Sequence, residues 1–463
     1  MAQLAIQMTA LVVLARLLEP REYGLMAIVT VVIGIGEVFR DVGLSTAAVQ
    51  AKEISSAQRS NLWWCATGIG SALAVLLLCV APLIAGLYHQ PELLLMLVAM
   101  SASFPIAGMA SQLRAGFQRE MRFGALALIT IVTGLVALGV AILAALSGWG
   151  AWALVVQNLT GATLSLIALL LFSSWRPRRY DRSVSVKRYF RFGLPLLGTQ
   201  IASYLSSNGD SAIIGLIAGP GVVGLYSRAV QSARMPLNQI RTPISQVAFS
   251  ALSRQQDDTH LLTRFAERGQ LLLAYPMVLI AGGISAAASP LVAVMLGAGW
   301  EGVVPYLHFI AIGEGLNTMA MTGGWLYTVR ARTASLLKYT LFSAAIRTAL
   351  LIAGLLALGP LGAAIAVAIA PLILWPISLT WAGRVAGIPT RNMLITSYRI
   401  FAVGLISSST TAVVVWASAA LTPVAGIALA VLTQLVVAGV LAVIPAIRRD
   451  YHSIWRAAML ARS

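Results

Sequence analysis

The richest chemistry in the sequence lies between residues 222 and 251. At 100° per residue, Gln231, Arg234, Asn238, Arg241 and Ser245 fall within an arc of about 80° on one helix. Arg228 lies roughly 60° beyond its edge on the same wheel. The rest of the stretch is apolar, and Pro236 is expected to bend it. A guanidinium is planar, permanently charged and able to grip two phosphate oxygens at once. Two or three of them in one stripe point to a cavity wall that binds an anion. An amphipathic helix lying against lipid headgroups has the same pattern, and that alternative stays open. The preceding stretch carries Thr199, Ser203, Ser206, Ser207 and Asp210 within about 100°. Asp210 has two roles open to it: an ion pair with an arginine of the stripe, or the binding of a coupling cation or proton.

Ionisable groups inside apolar segments are costly and face a partner or a cavity. Glu37, Arg40 and Asp41 stand at i, i+3 and i+4, the spacing of a local ion-pair cluster or of one side of a gate. Arg16 is either an external gate charge or a snorkelling residue. Glu314 and Arg347 are both expected near mid-span and are placed to pair; His308 is expected to be packed. No Walker loop, zinc spacing or nucleophile elbow accompanies them. The expectation is a chain that is not an enzyme, with no cofactor and no metal site. Cys65 and Cys79 lie fourteen residues apart in one apolar helix, roughly 21 Å at 1.5 Å per residue, too far to pair.

These residues are positioned by membrane helices. Of 463 residues, 59% are hydrophobic and 10% charged, against about 25% charged in soluble domains. Mean hydropathy is +0.86. No soluble core absorbs that much apolar surface, so the class is an all-α polytopic membrane protein. Fourteen apolar segments are expected at about 1–18, 23–46, 62–88, 93–112, 124–146, 151–173, 192–218, 222–251, 269–296, 302–328, 339–358, 361–383, 400–419 and 424–446. The net charge of +17 would suit nucleic acid in a soluble chain. Here 25 of the 32 basic residues fall in even-numbered loops or the tail. The positive-inside rule then places both termini in the cytoplasm, and the charge is topology, with no nucleic-acid partner. The first odd loop, with Arg21, is the one departure. No external loop is long enough to hold a catalytic domain.

The chain resembles itself at an offset of 200. Pro20, Gly24 and Leu25 match Pro220, Gly224 and Leu225, each set joining the first two helices of a six-helix group. The division expected is an N-terminal lobe over 1–173, a basic linker over 174–191 and a C-terminal lobe over 192–384. Helices 13 and 14 follow over 400–447, then a basic tail over 448–463. Parallel repeats of this kind mark transporters. The offset also predicts a first helix about ten residues shorter than its counterpart, as a truncated or misassigned start would give; a signal peptide is the alternative, without a basic n-region or cleavage site to support it.

Residues 14–25 (LARLLEPREYGL), 38–44 (VFRDVGL) and 47–50 (AAVQ) resemble the opening of the polysaccharide-export flippases. Residues 192–198 (FGLPLLG) and 224–229 (GLYSRA) resemble their second-lobe counterparts, and 249–254 (FSALSR) resembles the loop after helix 8. Together they are similar to the Wzx-type branch of the multidrug/oligosaccharidyl-lipid/polysaccharide exporter superfamily. The resemblance implies a V-shaped flippase of two six-helix lobes plus two C-terminal helices in the bacterial inner membrane. It implies an undecaprenyl-diphosphate-linked oligosaccharide as cargo, whose diphosphate is expected to meet the arginines of the stripe, Arg228, Arg234 and Arg241, because their forks suit phosphate. The residue pattern itself places Arg16, Arg40, Asp41, Gln231 and Asn238 at the cavity or its gates, and the resemblance adds a lipid-tail groove lined by helices 13 and 14. A polysaccharide polymerase and a chain-length regulator are the expected partners of a monomeric chain. A multidrug or organic-cation antiporter of the same superfamily is the alternative, opposed by the shortage of deep carboxylates.

Overall fold

The computed structural model describes residues 2–41, 44–51, 53–255, 258–418 and 420–460, and every regular element among them is a helix. In chain order these are α1 (Ala2–Ala15), α2 (Pro20–Asp41), α3 (Leu44–Gln50), α4 (Ser56–Leu87), α5 (Glu92–Ser101), α6 (Ser103–Arg119), α7 (Phe123–Leu146) and α8 (Trp152–Phe172). There follow α9 (Lys187–Arg254), α10 (Thr259–Ala286), α11 (Ala288–Met295), α12 (Val303–Val329), α13 (Thr333–Ala386), α14 (Arg391–Ala417), α15 (Pro423–Leu441) and α16 (Pro445–Leu460). Ten helices among the described residues are long and apolar enough to cross a membrane. Two of them, α9 and α13, are each broken once, at Gly219 (φ 80°) and Gly359 (φ 65°). Both glycines precede a proline, so one left-handed residue makes the turn and a preset φ restarts the helix. With those breaks counted, with α5–α6 and α10–α11 each taken as one span, and with α1 and α12 included, the spans number fourteen, as expected. The short α3 and the amphipathic α16 lie outside that set.

Several helices outrun their apolar segments. The segment expected at 93–112 continues as α6 to Arg119, and the one expected at 269–296 begins at Thr259. Hydropathy measures only the slab of hydrocarbon, whereas a backbone that is already helical propagates into polar surroundings at little cost. Arg114, Arg119, Arg264 and Arg268 therefore stand on helices rather than in loops. Local caps fix the real ends. Ser55 and Gln58 form a reciprocal capping box at α4. Asp258 accepts the backbone N–H groups of His260 and Leu261 at the start of α10; those bonds, from Leu261 most of all, hold its carboxyl below the usual range.

The chain divides into two compact units, Met1–Gly224 and Leu225–Ser463. In the first, the two copies of the repeated turn meet. A Cβ on Gly24 would lie 1.7 Å from the Pro220 carbonyl oxygen, and one on Gly224 would lie 1.7 Å from the Pro20 carbonyl oxygen. Each glycine thus admits the other copy's backbone where any side chain would collide. Gly24→Ala and Gly224→Ala should each destabilise the detergent-purified protein by about 1–3 kcal/mol or more, the cost of overpacking a close-packed contact. An unchanged thermal unfolding midpoint in both variants would contradict the contact.

The basic linker is strapped to α4 in this same unit. The buried Asn61 side chain donates to the carbonyl oxygens of Asp181 (2.7 Å) and Val184 (2.9 Å) and accepts from the Asp181 N–H (2.8 Å). Trp64 Nε1 donates to the Arg178 carbonyl oxygen, Ser60 Oγ accepts from the Arg178 N–H, and Arg59 stacks over the Trp175 ring at 4.2 Å. The Asp181 carboxyl is itself drawn low by the Ser183 hydroxyl and N–H. Arg21, the departure from the charge rule, forms a two-pronged pair with Glu92 and also donates to Gln90, so its charge is locally balanced.

The second unit packs around Leu273, Met277, Met319, Leu326, Tyr327, Trp375 and Leu379, all buried. Polar contacts register its outer helices. Gln434 of α15 bonds Thr411 and Ser407 of α14 and the Leu279 carbonyl of α10, polar contacts of the kind that join packed membrane helices. The amphipathic α16 docks through buried Asp450, which accepts from Tyr275 (2.8 Å) and from both Nε and Nη2 of Arg399 (2.6 and 2.7 Å). Outside these contacts, large side chains such as Leu83, Leu143, Leu356 and Val436 are exposed, as lipid-facing positions must be.

Candidate functional site

The stripe expected between residues 222 and 251 is a continuous helical face of α9 beyond its break, in the second unit. Arg228, Gln231, Arg234, Asn238, Arg241 and Ser245 are all half-buried there. Three of the side chains hold oxygens that no water reaches and no described group satisfies: Gln231 Oε1, Asn238 Oδ1 and Ser245 Oγ. They recur every seven residues, two helical turns apart, so they stand in one row. A buried polar atom without a partner costs about 1–3 kcal/mol. Three in one row form a face held ready for hydrogen-bond donors.

Arg234 interrupts that row with a built contact. Its Nε donates to Oε1 of Glu314 on α12 at 2.6 Å, with side-chain exposures of 26% and 7%. The sequence pairs Glu314 with Arg347; in the structure Glu314 takes Arg234. The spacing along α9 and α12 carries no signal for that choice, because the two residues are eighty positions apart. Arg228 and Arg241 stand on the same helix to either side of that pair.

The remaining expected residues lie in the first unit. Asp210 is half-buried on α9 before its break, one and a half turns beyond Tyr204, whose hydroxyl lies 3.1 Å from the carbonyl oxygens of both Thr30 and Val31. Asn208 is tied back to the Tyr204 carbonyl, and Tyr88 donates to the Ala212 carbonyl, so the helix around Asp210 is clamped on two sides. Arg16 is exposed in the turn after α1. Glu37 and Arg40 line a chamber of about 580 Å³ bounded by α2, α3, α6, α7 and α8. The side chains of Asp41 and Thr199 lie outside the described residues. Arg114 also lines the chamber, although the hydropathy count assigned it to a loop. A signal existed: Ala107, Ser111, Arg114 and Gln118 follow one another at three- and four-residue steps, the mark of one helical face.

A model of the family described as polysaccharide biosynthesis protein matches residues 13–305. The lipopolysaccharide biosynthesis protein WzxC of Escherichia coli K12 is 26% identical over 346 residues, 73% of this chain and 68% of that protein. The teichuronic acid biosynthesis protein TuaB of Bacillus subtilis 168 is 25% identical, over 64% of this chain and 62% of that protein. The succinoglycan biosynthesis transport protein ExoT of Rhizobium meliloti 1021 is 26% identical, over 67% and 63%. The match thus spans about two thirds of the length of these relatives. Among solved structures, the lipid II flippase MurJ in an inward closed conformation aligns with a TM-score of 0.74 at 15% identity, covering 95% of this chain and 97% of that one. An inward-facing multidrug resistance MATE family transporter aligns at 0.66 and 14% identity, covering 83% and 94%. These two likenesses carry the fold. A family match across well over half of the sequence, on a fourteen-span helical fold, makes this multi-pass membrane protein a member of the polysaccharide biosynthesis protein family.

Proposed function

We propose that the chain flips an undecaprenyl-diphosphate-linked oligosaccharide repeat unit from the cytoplasmic to the outer leaflet of a bacterial inner membrane, with both termini cytoplasmic. The observation that carries the proposal is the half-buried face of α9 on which arginines alternate with unsatisfied polar oxygens. Such a face matches both halves of that cargo. Arginine forks suit the diphosphate, and the oxygens of Gln231, Asn238 and Ser245 suit donor hydroxyls of the sugar nearest to it. A lipophilic cation would find the opposite electrostatics there, which disfavours the multidrug-antiporter alternative. The protein acts as a monomer, delivering its cargo to a polymerase and a chain-length regulator.

The test is complementation of a flippase-null strain, scoring surface polysaccharide and accumulated lipid-linked intermediates. The wild-type chain should restore the first and clear the second. Arg241→Ala should lower export about tenfold or more at normal membrane levels, the cost of one charge-assisted hydrogen bond. Arg241→Lys should recover part of it, because the charge stays and the fork is lost. Wild-type export from Arg241→Ala would remove this face from the cargo path.

A further inference from the structure

The first unit holds a site that the stripe on α9 does not account for. We propose that the chamber between α2, α6, α7 and α8 binds an acidic saccharide, a sugar ring bearing a carboxylate or a phosphate. Its volume of about 580 Å³ lies within the roughly 300–1,000 Å³ range of small-molecule sites. Among the described residues two guanidinium groups, Arg40 and Arg114, and one carboxylate, Glu37, line it, a net cationic set. Arg40 Nε is buried and donates to no described group. A charged donor left in that state is a stronger indication than a neutral one, because its desolvation is uncompensated until an anion arrives.

The hydroxyls on the chamber wall specify the rest of the ligand. Thr130 Oγ1 donates to the Leu126 carbonyl at 2.8 Å, Thr133 Oγ1 to the Ile129 carbonyl at 2.8 Å, and Ser111 Oγ to the Gly108 carbonyl at 2.7 Å. A hydroxyl has one proton and two lone pairs. Each proton here is spent on the residue's own helix, so these three hydroxyls offer the chamber only acceptors. The wall therefore presents charged donors at its arginines and acceptors at Thr130, Thr133 and Ser111, with Ser45, Ser165 and Gln118 adding groups able to do either. Inorganic phosphate at neutral pH satisfies the donors and has little to give the acceptors. A neutral sugar satisfies the acceptors and leaves the guanidinium charges unmet. An acidic sugar satisfies both sets. The chamber relies on the flippase reading only for where such a saccharide comes from, namely the repeat unit of the cargo.

The test is calorimetric titration of the full chain in lipid nanodiscs with four soluble probes: glucuronate, glucose 1-phosphate, glucose and inorganic phosphate. Glucuronate and glucose 1-phosphate should bind at least tenfold more tightly than glucose or phosphate, and their affinity should fall as salt is raised. The paired change Arg40→Gln with Arg114→Gln should weaken the acidic sugars at least tenfold. If that pair fails to fold, Arg114→Gln alone should weaken them severalfold, its side chain being exposed and structurally undemanding. Thr133→Val should weaken glucuronate severalfold and leave phosphate unchanged. Glucose binding as tightly as glucuronate, phosphate as tightly as glucose 1-phosphate, or acidic-sugar binding untouched by the arginine changes would each overturn the proposal. Because no flipping is measured, a chain that binds these probes but fails complementation would refute the flippase and keep the chamber. A chain that complements but ignores the probes would do the reverse.

Discussion

Arg234→Ala is expected to cost more in folded protein than in transport chemistry. Its removal leaves Glu314, whose side chain is only 7% exposed, as an uncompensated charge inside a membrane helix. Breaking one side of a buried ion pair costs about 3–5 kcal/mol, whereas replacing both sides with uncharged residues of similar volume is often neutral. Arg234→Ala alone should therefore lower membrane levels severalfold and depress the unfolding midpoint in detergent. Arg234→Met combined with Glu314→Gln should restore both. Export by that double variant at normal levels then isolates what Arg234 contributes to cargo. Restored levels with export still lost would assign Arg234 to the diphosphate. A single Ala variant with wild-type levels would mean that the pair is dispensable to the fold. The same logic predicts that Glu314→Gln frees a charged arginine and is the milder of the two single changes, since a guanidinium on this face has the cargo's anion to meet.

The second large effect concerns the driving force. One elementary charge crossing 100 mV is worth about 2.3 kcal/mol, so a diphosphate carrying roughly two charges gains about twice that in leaving a negative cytoplasm. The protein's own charges return at the end of each cycle and cancel. They decide only how the gain is divided between loaded and empty crossings. Counting Arg228, Arg234 and Arg241 against Asp210 alone makes the empty carrier strongly positive. Counting Glu314 and Arg347 as well leaves it about two charges positive and the loaded carrier near neutral. The empty return then runs down the potential and the loaded crossing does not run against it, with no coupling ion required. In proteoliposomes with labelled lipid-linked sugar, a potential set by potassium and valinomycin at equal pH and sodium should accelerate flipping, and reversing its sign should suppress it. A rate that ignores the potential and follows a proton or sodium gradient would sink this account and make Asp210 or Glu314 the coupling carboxylate.

Much of this protein was legible as sequence because membranes enforce simple rules. Long apolar runs, Gly-Pro breaks and basic loops identify spans without any tertiary knowledge, and the fourteen spans follow from them. The stripe on α9 was legible for the same reason: a polar residue on a lipid-bathed helix needs a cause, so Gln231, Asn238 and Arg241 stand out. What was hidden depends on residues far apart in the chain. Glu314 had two arginines available, and only the packing of α12 beside α9 selects Arg234. Arg114 looked like a loop charge because hydropathy stops at the membrane edge while α6 does not. The arginines of the tail mask Asp450, the acid that seats α16 against Tyr275 and Arg399.

The meeting of Gly24 with Gly224 also bears on how such a chain evolves. After a duplication, the two halves usually drift apart, since a bulky change in one is accommodated by a smaller residue in the other. That route is closed here. The atoms that crowd each glycine are the carbonyl oxygens of Pro220 and Pro20, and a backbone oxygen is present whatever residue occupies the position. No second-site substitution makes room, so each copy of the turn polices the other. A drifting lineage has to keep both glycines or abandon the junction, whatever becomes of the residues around them.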